Sequence, residues 1–263
     1  MITIPMPFST LPAMLPDIPW GQLLPAWGAV IIGAMIQGTI GFGLALVAAP
    51  LLLLIAPDMI PGPMMFATFA LTFLTWWRER WAVHWKDIPW ALTGRITGTL
   101  LGTVAMATIP SELLISTMGL LIVLASIMSA KLPPFQPSNR IAIFAGILSG
   151  VIGTMTTAGG PPLVLAFQHV SGPRLRATLG AIFSIGIIFS LASLSLIDRF
   201  GLKEALLGSS FIPPILLGYL LSGPLLPIIN KKLLRRFAII LAGSSGLLIL
   251  VSSLSTWLEM RFS

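Results

Sequence analysis

The chain has 263 residues, 56% of them hydrophobic and 9% charged, with a mean hydropathy of +0.98. A soluble domain carries about 25% charged residues, so the composition is that of an integral membrane protein. The absence of cysteine excludes disulfides, iron–sulfur ligation and thiolate chemistry, and the net charge of +7 comes from basic residues lying between apolar spans, which points to membrane topology rather than nucleic acid.

Residues 1–25 are proline-rich, lack Lys and Arg, and read as an uncleaved leader on the outer side of the membrane. Residues 26–55 are apolar but interrupted by Gly38-Thr39-Ile40-Gly41-Phe42-Gly43. A plain span follows over 63–77, then a charged loop whose flanking tryptophans (Trp76, Trp77, Trp81, Trp85, Trp90) suit an interfacial belt. Spans at 90–109 and 113–130 complete a first repeat, 26–130, and the polar 131–140 is a linker. The second repeat, 141–258, follows the same plan. Residues 141–167 are interrupted by Gly153-Thr154-Met155-Thr156-Thr157-Ala158-Gly159-Gly160-Pro161-Pro162, and spans follow at 177–197, 205–229 and 233–258, with a tail at 259–263. Gly38 and Gly153 are 115 residues apart, close to half the chain.

Two topologies compete for the interrupted segments. If each crosses once, Lys and Arg divide eight to six between the two sides. If each is a re-entrant hairpin, with arms of about 11–13 residues and roughly 16–20 Å, the division is eleven to three. Arms of that length cannot span about 30 Å of hydrocarbon, and the second division obeys the positive-inside rule. The expected fold is therefore an all-α, multi-pass protein of the cell membrane. It has two inverted repeats, each a re-entrant hairpin plus three transmembrane helices, with both termini outside.

A broken helix in a bilayer leaves peptide groups without partners, so such breaks survive where they are buried or line a wet cavity. A matched pair in two halves points to a transporter site. All eight acids lie in or beside loops or termini, which argues against a cation substrate or a buried carboxylate relay. For an anion the chain is well supplied. Each returning half-helix points its N–H groups at the membrane middle. Gly38, Gly41, Gly43, Gly159 and Gly160 permit close backbone approach. Gln37, Thr39, Thr154, Thr156 and Thr157 add donors, and Pro161 suits a helix start. The plainer alternative is that the small residues serve only close packing; duplication of the break favours a site.

Arg95 is the only basic residue well inside a plain span, and either faces the cavity or snorkels to the interface. Arg174 and Arg176 after the second break guide anions or enforce topology. His84 and His169 read as structural. No cofactor, metal or nucleic acid is implied, and oligomeric state is left open.

Gly38-x-x-Gly41-Phe42-Gly43 followed by Ala49-Pro50-Leu51-Leu52, Gly153 with Ala158-Gly159-Gly160-Pro161-Pro162, and Arg176-Ala177-Thr178 opening the next helix together resemble the TauE/SafE family of membrane permeases. The likeness covers about residues 26–256. It implies export of small sulfur-containing or organic anions such as sulfite or sulfonates by a secondary transporter that is not an enzyme. An anion channel using the same breaks is the alternative.

Overall fold

The computed structural model describes residues 20–133, 136, 138–167, 169–170, 172–225 and 230–262. Most of the expected leader and the Ser263 terminus lie outside them. Eleven α-helices occur among the described residues. In chain order they are α1 (Trp20–Ile40), α2 (Leu44–Ile55), α3 (Gly62–Arg78), α4 (Ile88–Thr108), α5 (Ser111–Lys131), α6 (Asn139–Thr156), α7 (Gly160–Phe167), α8 (Pro173–Ser195), α9 (Leu202–Ser209), α10 (Ile212–Leu225) and α11 (Lys231–Phe262). Their starts follow local chemistry. Proline occupies the first turn of α3, α4 and α8, where its missing N–H is not needed. Ser138 caps α6, its hydroxyl accepting from the Ile141 N–H at 3.2 Å.

Both interrupted segments break where expected, at 41–43 and 157–159, and both fold back on themselves. A Cβ on Gly33 would lie 2.8 Å from the Leu44 carbonyl oxygen, and one on Gly159 would lie 2.3 Å from that of Ser149. A straight helix would hold residues ten or eleven apart about 15–16 Å from each other. The first arms are longer than the sequence suggests: α1 has 21 residues and α6 has 18. Short returning arms, α2 with 12 residues and α7 with 8, make the pairs unequal.

Four stretches among the described residues are long and apolar enough to cross a membrane: Leu113–Lys131, Asn139–Thr156, Pro173–Ser195 and Lys232–Ser253. A fifth is the pair α9 and α10, bent by 43°. Two expectations need correction here. The span at 205–229 is not plain, because Pro213 and Pro214 remove two donors and disfavour helix just before them, leaving a turn between the two pieces. Six uniform crossings are not seen either. Helix α3 has only 17 residues, and α4 trades apolar side chains for Arg95, three glycines and five threonines.

Large apolar side chains left exposed along the helices, among them Leu100, Leu101, Val104, Phe144, Ile188, Leu220, Ile240 and Val251, would form an intolerable patch in water but suit acyl chains. Trp77, Trp81, Trp85 and Trp90 are exposed as an interfacial belt requires. The chain is a multi-pass membrane protein.

The closest backbone approach joins the two halves. Cβ atoms built on Gly94 and Gly98 of α4 would lie 2.0 Å from the carbonyl oxygens of Ile143 and Ile147 on α6. Gly146 and Gly150 of α6 return the arrangement, their Cβ positions 2.3 Å from the Ala91 and Arg95 carbonyls. This small-residue seam lets two backbones touch in a medium that supplies no hydrophobic drive. Gly98→Ala is therefore expected to force α4 and α6 apart and destabilise the fold by about 1–3 kcal/mol, read as a lower melting temperature in detergent. Gly28→Ala, with nothing within 4 Å of the new methyl, is the control and should not lower it.

Candidate functional site at the paired helix breaks

The two breaks meet in the interior and share one small cavity. Gln37, Phe42 and Gly43 reach it from the first break, and Thr157, Ala158, Gly159 and Gly160 from the second. Arg95 of α4, Thr68 and Thr72 of α3, and Phe183 of α8 close its sides. Its volume is about 30 Å³, room for one or two waters, so the site is tight in this conformation.

The chain ends at each break are satisfied differently. At the first, α1 stops at Ile40 and leaves its last carbonyls without intrahelical donors. Arg78 Nη2 donates to the Gly38 carbonyl at 2.8 Å and Arg176 Nη1 to the Thr39 carbonyl at 3.5 Å. Arg176 is in turn held by Glu79, its Nε 3.0 and 3.1 Å from the two carboxylate oxygens and its Nη2 also in contact. Gly41 and Gly43, at φ 91° and 124°, take backbone that side-chain-bearing residues avoid. Gln37 Oε1 accepts from the Leu44 N–H at 3.1 Å, tying one helix end to the start of the next.

The second break is held by its own threonines. Thr157 adopts a left-handed φ of 62° and its N–H donates to the Gly153 carbonyl at 2.8 Å, an αL helix ending. The Thr156 hydroxyl donates to the Ile152 carbonyl at 2.7 Å and accepts from the Ala158 N–H at 3.1 Å. The Thr157 hydroxyl donates to the Thr156 carbonyl at 2.6 Å. Pro161 and Pro162 open α7 but carry no N–H, so Gly160 is the one residue of its first three with an N–H to offer. Helix α2 keeps more: the N–H groups of Ala45 and Leu46, both lining the cavity, belong to its unpaired first turn.

Arg95 faces this cavity rather than the interface. It is 4% exposed, its Nη1 donates to the Ser149 hydroxyl and at 3.4 Å to the Ser149 carbonyl, and its guanidinium lies 5.2 Å from the Phe183 ring centroid. Its Nε is buried with no hydrogen-bond partner. No acid among the described residues pairs with it; Glu79 is taken by Arg176 and Arg78. Two glycines make room: a Cβ on Gly186 would sit 1.9 Å from Nε, and one on Gly153 would sit 3.4 Å from Nη2.

Of the residues singled out in the sequence, Gln37, Gly43, Arg95, Thr157, Gly159 and Gly160 line the cavity. Thr39 and Arg176 border a separate, larger cavity. Gly38 packs on Ser222, Gly41 on the Arg176 side chain, and Pro161 is buried in α7. Thr154 joins a buried hydroxyl cluster, 3.3 Å from Thr99 Oγ1 and 3.0 Å from Ser190 Oγ. Thr103 and Ser193 extend it at 2.8 Å. Sequence reasoning missed Ser149, Phe183 and Gly186. The signal for Gly186 was present, a glycine in the middle of an apolar span.

His84 and His169, distant in sequence, border one cavity with Arg174, and His84 Nδ1 lies 2.7 Å from Asp87 Oδ2. No three metal-ligating side chains cluster among the described residues.

No curated protein and no solved structure matches the chain. A family model described as sulfite exporter TauE/SafE matches residues 26–249. That range takes in both broken helices and the arginine between them, and the chain belongs to the TauE/SafE sulfite exporter family, whose members are membrane transporters and not enzymes.

Proposed function

We propose that the protein is a secondary transporter that exports a small sulfur oxyanion, sulfite or a short sulfonate, and binds it in the cavity between the two helix breaks. The reading rests on Arg95. A buried guanidinium with a free Nε and no carboxylate partner is a desolvated charge awaiting its counter-ion, because an unpaired ion in a dry interior carries a penalty of several kcal/mol. An anion in the cavity removes that penalty and also meets the first-turn N–H groups of α2 and the Gly160 N–H. The residues that line the cavity include no carboxylate to oppose it.

The small size of the site, with room for one or two waters, favours a carrier that changes shape over an open pore. We infer further that the halves are inverted repeats with both termini outside. Supporting this is their reciprocal packing: α4 of the first half lies along α6 of the second, and α10 of the second lies along α1 of the first. The eleven-to-three division of Lys and Arg, which holds when each broken segment returns to the side it entered, supports the orientation.

Counterflow tests the function. Proteoliposomes loaded with unlabelled sulfite and given labelled sulfite outside should accumulate label transiently, and Gly160→Val should abolish this without preventing insertion. If only a carboxylate exchanges, the substrate class is wrong; if no anion exchanges, the transporter reading is overturned.

A further inference from the structure

We propose that Phe42 is the gate of this site: its ring separates the central cavity from a basic vestibule through which the anion enters or leaves. The proposal deepens the anion reading and rests on it. A second cavity, of about 270 Å³, lies on the other side of the first break. Its cations are Arg176, Lys232 and Arg235, and no acid lines it. Arg176 is engaged by Glu79. Arg235 donates to the neutral Ser129 carbonyl at 3.0 Å, and Lys232 is exposed. Two uncompensated cations at the mouth of a low-dielectric cleft concentrate small anions there.

Among the described residues, Phe42 is the one that lines both cavities. It is 4% exposed and sits between Gly41 and Gly43, whose positive φ values turn the chain at the break. It rests on the opposite break: a Cβ on Gly160 would lie 3.3 Å from Phe42 Cβ and 3.5 Å from Cδ2. The ring thus plugs the narrow passage between a vestibule roomy enough for a hydrated anion and a site with room for one or two waters. Turning about its own side-chain bonds opens the passage without unpacking a helix, while the glycines hold the backbone. An aromatic residue has the size to seal the gap and adds no charge to trap the passing anion.

Thiol labelling tests this without any anion. The chain has no native cysteine, so Thr68→Cys places one thiol in the central cavity, and Ser126→Cys places one in a buried position outside it. In lipid nanodiscs, with both faces open to a charged methanethiosulfonate, Thr68→Cys should label slowly. Adding Phe42→Ala should raise that rate at least about tenfold, and Phe42→Leu should raise it less, while the Ser126→Cys rate stays unchanged. An unchanged rate at position 68, or an equal rise at 126, overturns the gate. Failure of sulfite counterflow alongside a position-68 rise would instead overturn the anion reading and leave the gate standing.

Discussion

Replacing Arg95 by Gln is expected to abolish anion exchange while leaving the empty protein at least as stable as before. The guanidinium is buried, keeps Nε without a partner and has no carboxylate to offset its desolvation. In the anion-free protein it is therefore a destabilising group, retained against its own folding interest. Truncating one partner of a buried, hydrogen-bonded charge pair weakens binding by about 2–5 kcal/mol. At 1.4 kcal/mol per decade that is a loss of affinity of roughly thirty-fold to several thousand-fold. A purely structural Arg95 would behave oppositely, its loss lowering the melting temperature together with transport. The two are separated by melting with and without sulfite. Bound anion at one hundred times its dissociation constant should stabilise the native protein by about 2.7 kcal/mol, and Arg95→Gln should lose that increment while its anion-free melting point holds or rises. Arg95→Lys is expected to recover exchange only in part, because an ammonium keeps the charge but cannot present the planar fork to an oxyanion.

Much of this site was legible in the sequence because its backbone features announce themselves. Glycines, threonines and prolines clustered inside an apolar span have few explanations in a bilayer, and both breaks fall within those clusters. Arg95 stood out for the same reason, as a charge where charge is costly. What surrounds it was not legible. Ser149 lies 54 positions further along the chain, and Gly186 reaches Nε only because α8 packs on α4. The hydroxyls of Thr99, Thr154 and Ser190 meet across separations of 36 to 91 residues, with no local pattern to reveal it. The bend at 210–211 is a different case. Gly208-Ser209-Ser210 and Pro213-Pro214 mark it in the sequence, but the high hydropathy of 205–229 does not, since hydropathy reports burial in lipid and not helix continuity.

Arg176 is where sequence and structure suggest different roles, and Glu79 is the residue that separates them. After the second break a cation reads as an anion guide or as a topology marker, yet its Nε lies 3.0 and 3.1 Å from the Glu79 carboxylate and its Nη1 reaches the Thr39 carbonyl. These contacts make it a brace that carries the end of α1 on α8 and the end of α3. Glu79→Gln should therefore destabilise the protein by about 3–5 kcal/mol, since it strands Arg176, whose side chain is 7% exposed, without its counter-ion. Joint replacement, Glu79→Leu with Arg176→Met, should recover most of that loss, because no charge is then left to desolvate. Exchange kinetics in this double variant give the decisive comparison. If Arg176 only braces the break, the concentration of sulfite needed for half-maximal counterflow stays near the native value once stability is restored. A half-saturation value that rises and stays high in the refolded double variant would make Arg176 a ligand of the anion after all, with Glu79 as the group that holds its charge until substrate arrives.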